Sequence, residues 1–162
     1  MLKKIERAQQ LLKKEAAVFR CPTCHEPMHV EGVGLICQQR HQFDLSKKGT
    51  LYFLNHGVQT EYNKKMFTSR GKMIQSGMYA PVLNKIMHYL PQNKTVVDVG
   101  CGEGSFLAEL SQAGLSRLKI GFDLSKEGIY LASNQPIDAF WCVADLTNLP
   151  FADQGLDTLL NI

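Results

Sequence analysis

The stretch Val96-Val-Asp-Val-Gly-Cys-Gly-Glu-Gly104 decides the fold of this 162-residue chain. A short, mostly apolar run leads directly into a Gly-x-Gly-x-Gly loop, and residues 105–113 after it have a helical pattern. A strand, a glycine loop and a helix in this order let the backbone come close to a ligand, and the start of the helix offers free N–H groups. The stretch therefore predicts a ligand-binding loop at the end of a buried strand.

The spacing of the glycines helps to distinguish a dinucleotide ligand from other ligands. A dinucleotide site favours Gly-x-Gly-x-x-Gly, but here Gly104 comes one residue early and Ser105 takes the expected position. Asp98, just before the loop, suits a cationic ligand better than a pyrophosphate. S-adenosylmethionine carries an ammonium and a sulfonium, so we interpret the loop as a site for this cofactor. The candidate loop residues are Asp98, Gly100, Cys101, Gly102, Glu103 and Gly104.

Strands and helices alternate on both sides of this loop. The predicted order is strand 95–99, helix 105–113, strand 118–123, helix 125–133, strand 140–144 and strand 156–162. Helical connections of this length predict a parallel sheet with right-handed crossovers. The fold class is therefore α/β, with the first four strands of a Rossmann-like sheet. Because the chain ends inside the fourth predicted strand, we expect it to be the N-terminal part of a longer protein.

Two further acidic residues follow successive predicted strands. Asp123 ends the second strand, where a carboxylate accepts hydrogen bonds from ribose hydroxyls. Asp145 follows the third strand and, with Leu146, would contact an adenine. Each acid alone is explained equally well by a helix cap or a turn. Together with Asp98 they converge on one crevice at the carboxyl ends of the strands, which favours a shared binding role.

A cluster of cysteines precedes this α/β region. Cys21, Cys24, Cys37 and His41 form the pattern C-x2-C-x12-C-x3-H, which supplies four ligands for a tetrahedral Zn²⁺ ion with no position left open. We therefore predict a structural zinc ion that contributes folding energy to a small module. The alternative is a set of buried free thiols. His25 and His29 lie too close to Cys24 to replace His41 and are predicted to be surface residues.

The charge is distributed unevenly along the chain. Residues 1–90 hold 14 of the 18 Lys and Arg but only 6 of the 15 Asp and Glu. A basic first half suggests contact with a polyanion, although a solvated surface without a partner explains it as well. We divide the chain into a basic N-terminal helix (1–18), a zinc-binding module (19–45), a connector and helix (46–91) and the α/β region (92–162).

The glycine loop and Ala144-Asp-Leu-Thr-Asn-Leu-Pro-Phe151 resemble the signature segments of class I S-adenosylmethionine-dependent methyltransferases. With Phe19-Arg-Cys-Pro-Thr-Cys-His25 and Ile36-Cys-Gln-Gln-Arg-His-Gln-Phe-Asp44 ahead of them, the chain resembles the 23S rRNA guanine-N1 methyltransferases. This resemblance begins near residue 19 and implies that Tyr79, within Gly77-Met-Tyr-Ala-Pro81, contacts the cofactor. From the residues alone, Tyr79 is explained by helix packing.

The resemblance also implies a function. An N-terminal zinc domain would recognise a 23S rRNA hairpin, and the methyl group of S-adenosylmethionine would pass to N1 of a guanine. Such a protein is expected in the cytoplasm without a membrane segment, and the resemblance leaves open whether it is a homodimer. No residue is assigned as the base for the N1 proton. Phosphate contacts are expected from the basic residues Arg20, Arg40, Lys47, Lys48, Lys64, Lys65 and Arg70.

Two other functions stay open on the sequence. One is a small-molecule methyltransferase with an incidental zinc knuckle, against which the basic first half argues. The other is a non-catalytic zinc-containing RNA-binding protein. For this chain alone we expect weak cofactor binding and no measurable methyl transfer, because four strands make an incomplete sheet of this type.

Overall fold

The computed structural model describes residues 2–114 and 116–162 and contains two sheets. Met1, the first residue of the predicted segment 1–18, lies outside this range. The strands are β1 (Met28–Glu31), β2 (Gly34–Cys37), β3 (Gln42–Asp44), β4 (Thr50–Tyr52), β5 (Lys94–Val99), β6 (Ser116–Asp123), β7 (Phe140–Val143) and β8 (Thr158–Leu160). The α-helices are α1 (Lys4–Glu15), α2 (Lys64–Gln75), α3 (Ala80–Tyr89), α4 (Ser105–Ser111) and α5 (Lys126–Ala132).

The larger sheet has the order β4-β7-β6-β5-β8, and all of its strands are parallel. The predicted α/β alternation is confirmed, and Ser125 caps α5 by accepting a hydrogen bond from the amide of Gly128 (3.2 Å). The smaller sheet is an antiparallel β1-β2-β3 meander within the predicted zinc module.

The segment predicted as a connector and helix (46–91) also contains a strand of the large sheet. Thr50–Tyr52 forms β4, which pairs in parallel with β7 through Thr50 opposite Trp141 and Tyr52 opposite Val143. The sheet therefore has five strands instead of the four predicted. The same polar stretch also contains the start of α2, whose first turn is capped by Asn63 accepting from the amide of Met66 (3.1 Å).

Alternate residues of the parallel strands pack on opposite faces of the sheet, as strand geometry requires. On one face, Val96, Trp141 and Val143 pack with residues of α2, α3, α4 and α5, among them Phe106 and Ile129. On the other face, the buried side chains of β5, β6 and β7 pack against α1 and the small antiparallel sheet. Both faces are thus covered, as is usual for a parallel sheet.

Phe19 is the centre of this second face. Its ring is 1% exposed and lies 5.0 Å from the ring of Phe140, 5.6 Å from that of Phe53 and 5.9 Å from that of Phe151. Backbone hydrogen bonds join the same region, since the amide of Arg20 donates to the carbonyl of Pro150 at 3.0 Å. The small sheet therefore shares its core with the large one and is not an independent module.

Helix α1 is part of the same core. Leu12 is 1% exposed and Ala8 is 8% exposed, and both belong to the cluster that contains Phe19 and the strand residues. We predict that Leu12→Ala lowers the free energy of unfolding by about 2–4 kcal/mol, because it leaves a cavity under the sheet. Urea unfolding followed by circular dichroism measures this change.

The exposed neighbour Lys13 provides the control for that measurement. Lys13→Ala removes a side chain of similar length from the same helix and should change the free energy of unfolding by less than about 0.5 kcal/mol. Equal effects of the two substitutions would mean that α1 does not cover the sheet.

Candidate cofactor cavity and metal centre

A cavity of about 500 Å³ lies at the carboxyl ends of β5, β6, β7 and β8. Gly100, Gly102, Asp123, Asp145 and Leu146 line it, so five of the predicted cofactor residues are brought together. Helix α2 and the residues before it close the opposite side with a wall that the sequence did not predict, formed by Tyr62, Met66, Phe67 and Arg70.

The glycine loop has the backbone that its sequence requires. Gly100 has φ +70°, a conformation that residues with a side chain rarely adopt, and a Cβ atom built on it would point into open space. Gly104 has φ +77°, and a Cβ atom there would lie 2.6 Å from the Trp141 ring. Gly104 therefore allows close packing of the loop on β7.

Asp123 is held in a fixed orientation at the cavity wall. One carboxylate oxygen accepts from the amide of Gly102 at 2.9 Å and the other accepts from the amide of Ser125 at 2.7 Å. Asp145 is held by Thr147, whose amide and hydroxyl both donate to its Oδ1 at 2.8 Å. These bonds lower the pKa of Asp145 below its usual range, so it is an anionic acceptor at neutral pH.

Asp98 lies beneath the loop and is 3% exposed. Its Oδ2 atom is buried without a hydrogen-bond partner. The pKa of Asp98 is raised to about 7, mainly by burial; the Arg70 guanidinium opposes this shift, and the nearby carboxylates of Glu103 and Asp123 add to it. A buried carboxylate oxygen with no partner is what a cationic ligand group would satisfy.

Arg70 and Glu103 form a pair beside the loop. Arg70 Nη1 donates to Glu103 Oε2 at 3.1 Å and to the carbonyl of Cys101 at 3.2 Å. The expectation that Arg70 contacts RNA phosphates does not fit this inward position. Two other predicted phosphate ligands are paired with carboxylates at the surface: Arg20 Nη1 lies 2.9 Å from Asp153 Oδ1, and Arg40 Nη1 lies 3.7 Å from Glu31 Oε1.

Tyr79 lies outside the residues that line the cavity. It precedes α3, and its ring contacts Phe106 edge-on with 6.4 Å between the ring centroids. Its contact with a cofactor stays a prediction. The thiols of Cys101 and Cys142 are fully buried, and burial raises the pKa of each, so both are neutral packing groups.

The predicted metal ligands converge on one point. The donor atoms of Cys21, Cys24, Cys37 and His41 all lie within 4.8 Å of one another. His41 Nδ1 is 3.5 Å from Cys21 Sγ and 3.4 Å from Cys37 Sγ, and the sulfurs of Cys24 and Cys37 are 3.6 Å apart. These spacings fit the tetrahedral shell of a Zn²⁺ ion with Zn–S bonds of about 2.3 Å.

Local backbone turns create this arrangement. A tight turn at each ligand pair ends in a residue with positive φ: His25 (+63°) directly follows Cys24, and Arg40 (+66°) directly precedes His41. The amide of His25 donates to the carbonyl of Cys21, and the amide of Arg40 donates to that of Cys37. The side chains of His25 and His29 are exposed and outside the ligand set, as predicted.

Comparison with protein families agrees with both sites. Residues 19–55 match the N-terminal zinc ribbon of the RlmA family, and residues 96–162 match a methyltransferase domain. The fold is that of the class I methyltransferases. A crystal structure from Methanococcus maripaludis, provisionally described as an S-adenosylmethionine-dependent methyltransferase, has a TM-score of 0.53 at 18% identity and covers 65% of this chain and 52% of that one.

Two curated relatives make the relationship more specific. A protein of Bacillus subtilis (strain 168), provisionally named a 23S rRNA (guanine-N1)-methyltransferase, is 39% identical over 90% of this chain. The 23S rRNA (guanine(748)-N1)-methyltransferase of Streptomyces fradiae is 26% identical over 93%. The chain is thus similar to proteins named 23S rRNA (guanine-N1)-methyltransferases, and it spans about half (56%) of the length of each of these two proteins.

We predict that the chain binds about one zinc ion and that Cys24→Ala abolishes binding, because only three ligands would remain. Elemental analysis of the purified protein measures the ratio. Cys142→Ala is the matched control, since Cys142 is a buried thiol of β7 outside the cluster. A folded chain without zinc, or a loss of zinc in both variants, would contradict this assignment.

Proposed function

We propose that this chain carries the zinc ribbon and the cofactor cavity of an enzyme that methylates N1 of a guanine in a 23S rRNA hairpin. The observation that carries the proposal is that Asp123 and Asp145 line one cavity, with Asp98 buried beneath its glycine loop, on a sheet that also packs against a Cys₃His ribbon. The named relatives support the rRNA substrate. An enzyme acting on rRNA is expected in the cytoplasm, and among the described helices none is long and apolar enough to cross a membrane.

The cavity fits S-adenosylmethionine, which supplies an electrophilic methyl group when bound. The unpartnered Oδ2 of Asp98 would accept from its ammonium group, and Asp123 would accept from its ribose hydroxyls. Because backbone amides already hold both oxygens of Asp123, the carboxylate is oriented before the ligand enters. Asp145 and Leu146 would flank the adenine from the end of β7.

The RNA would be held mainly by charge. Lys47 and Lys48 lie in the turn after β3 of the zinc ribbon, and Lys64 and Lys65 begin α2 beside the cavity; all four side chains are exposed. Exposed lysines on the ribbon and on the helix that lines the cavity suit contact with a negatively charged RNA backbone. A homodimer stays a prediction, for which sedimentation velocity is the direct measurement.

The raised pKa of Asp98 gives cofactor binding a pH dependence. A protonated Asp98 cannot pair with an ammonium group, so binding of S-adenosylhomocysteine should strengthen as pH rises through about 7. Between pH 5.5 and 7.5 we expect roughly a tenfold gain in affinity by isothermal titration calorimetry. Asp98→Asn, which keeps the shape but has no charge to gain, should bind weakly and with the same affinity at both pH values.

The raised pKa of Asp98 should also make the free energy of unfolding depend on pH, and here the dependence is opposite: stability falls as pH rises, whereas cofactor binding strengthens. A folded-state pKa above the unfolded value favours folding at low pH, and this contribution is lost as pH rises from about 4 to about 7. Asp98→Asn should therefore raise the Tm at pH 8 and leave it nearly unchanged at pH 4. If wild-type affinity did not change with pH, Asp98 would not be the ammonium ligand.

Two binding measurements on the whole chain test the proposed function. We expect heat on titration with S-adenosylhomocysteine, and a gel shift with a 23S rRNA hairpin that weakens steeply as salt rises. A DNA hairpin of the same sequence is the control for RNA recognition by shape and 2′-hydroxyl groups. Heat of binding with S-adenosylhomocysteine but no gel shift of the RNA hairpin would favour a small-molecule methyltransferase. A gel shift without any heat of cofactor binding would favour a non-catalytic RNA-binding protein.

A further inference from the structure

A second cavity, of about 350 Å³, lies at the open edge of the large sheet between β4 and α5. Lys47 and Lys48 line it from the turn before β4, and Lys126 lines it from the first turn of α5. Two tyrosines, Tyr52 and Tyr130, complete the wall. None of these residues lines the proposed cofactor cavity.

The lysines and the tyrosines are paired. Lys48 Nζ lies 5.2 Å from the centre of the Tyr130 ring, and Lys126 Nζ lies 5.8 Å from that of Tyr52. Tyr130 is 48% exposed, so its ring is available to a planar ligand. The one carboxylate in the wall, Asp44, already accepts from the side-chain Nε2 of Gln42 at 2.8 Å. The cavity is therefore positively charged and partly aromatic.

The position of this cavity connects the two parts of the protein. The turn that carries Lys47 and Lys48 follows β3 directly, so it is continuous with the zinc ribbon. Tyr52 lies opposite Val143, two residues before Asp145, and Lys126 is three residues after Asp123. The cavity is thus lined by the segment that follows the ribbon and by residues close in sequence or register to those of the proposed cofactor site.

We propose that this cavity is a subsite for one unpaired nucleotide of the RNA, with its base against the ring of Tyr130 and its phosphates on Lys47, Lys48 and Lys126. This inference rests on the proposed function for the identity of the partner as RNA. Lysines beside aromatic rings are how proteins hold single-stranded nucleic acid, since the backbone meets charge and each base has a face to stack. An acidic peptide would use the lysines alone and leave the rings without a role.

Fluorescence anisotropy with a labelled 12-nucleotide single-stranded RNA tests the subsite. Tyr130→Ala should weaken binding about tenfold through the lost stacking, whereas Tyr130→Phe should stay within about twofold of wild type. Lys48→Gln and Lys126→Gln should each reduce the slope of log K against log salt by about 0.7. The same RNA annealed to its complement has no unpaired base, so Tyr130→Ala should not change its binding.

The chain contains a matched control on α3. Lys85 Nζ lies 5.3 Å from the centre of the Tyr89 ring, which is 70% exposed and has no part in this cavity. Tyr89→Ala should bind the RNA like wild type. Equal losses for Tyr89→Ala and Tyr130→Ala, or no binding of the RNA by the wild-type chain, would overturn the subsite.

A cofactor titration keeps this result separate from the proposed function. Tyr130→Ala should retain its zinc ion and its heat with S-adenosylhomocysteine, because Tyr130 is outside both sites. If Tyr130→Ala loses RNA binding but keeps its zinc content and its heat of binding with S-adenosylhomocysteine, the result supports the subsite. If Tyr130 had no effect on single-stranded RNA while the hairpin and the cofactor still bound, the subsite would be wrong and the proposed function would stand.

Discussion

The structure depends on covering both faces of one parallel sheet. Strands β5, β6 and β7 are joined by α4 and α5, and right-handed crossovers that move in one direction along a sheet place both helices on the same face. The opposite face carries Val97, Ile120 and Phe140 and must be shielded from water by another part of the chain. Here α1 and the zinc ribbon provide that cover, with Leu12 and Phe19 at the centre of the contact.

This constraint explains the roles of two segments that look independent in the sequence. The basic N-terminal helix resembles an appendage because its lysines and arginine dominate its composition, yet it buries Ala8 and Leu12 beneath the sheet. The ribbon resembles a module held together by metal alone. Two features hold the ribbon in place: the fixed geometry of its metal ligands and the core that it shares with the large sheet. A bound zinc ion would therefore orient a ribbon that hydrophobic packing already anchors to the sheet.

Features set by local spacing were predictable from the sequence. The four metal ligands follow from the short turns around His25 and Arg40, and the glycine loop follows from three residues that need positive φ or close packing. The convergence of Asp123 and Asp145 on one cavity follows from the general rule for the carboxyl ends of parallel strands. Each of these patterns is complete within a few residues of the chain.

Features that depend on distant pairing were not predictable. Strand β4 has only three residues, and its partner β7 lies about ninety residues later, so no local pattern marks it. Arg70 looked like one more basic surface residue, because its partner Glu103 is 33 positions away. The wall of Tyr62, Met66 and Phe67 has no sequence signal of its own, since its role arises only when α2 folds over the glycine loop.

The short strand β4 also has a mechanical consequence. It follows the ribbon after a single turn and is hydrogen-bonded to β7, whose end carries Asp145 and Leu146. A flexible linker would let the ribbon and the cavity move independently, whereas a strand built into the sheet fixes the distance between them. In the function proposed above, RNA bound to the ribbon would be presented to the cavity in a defined register. Methylation of one particular guanine would depend on that fixed geometry, since a misplacement of about 1 Å already slows such a reaction strongly.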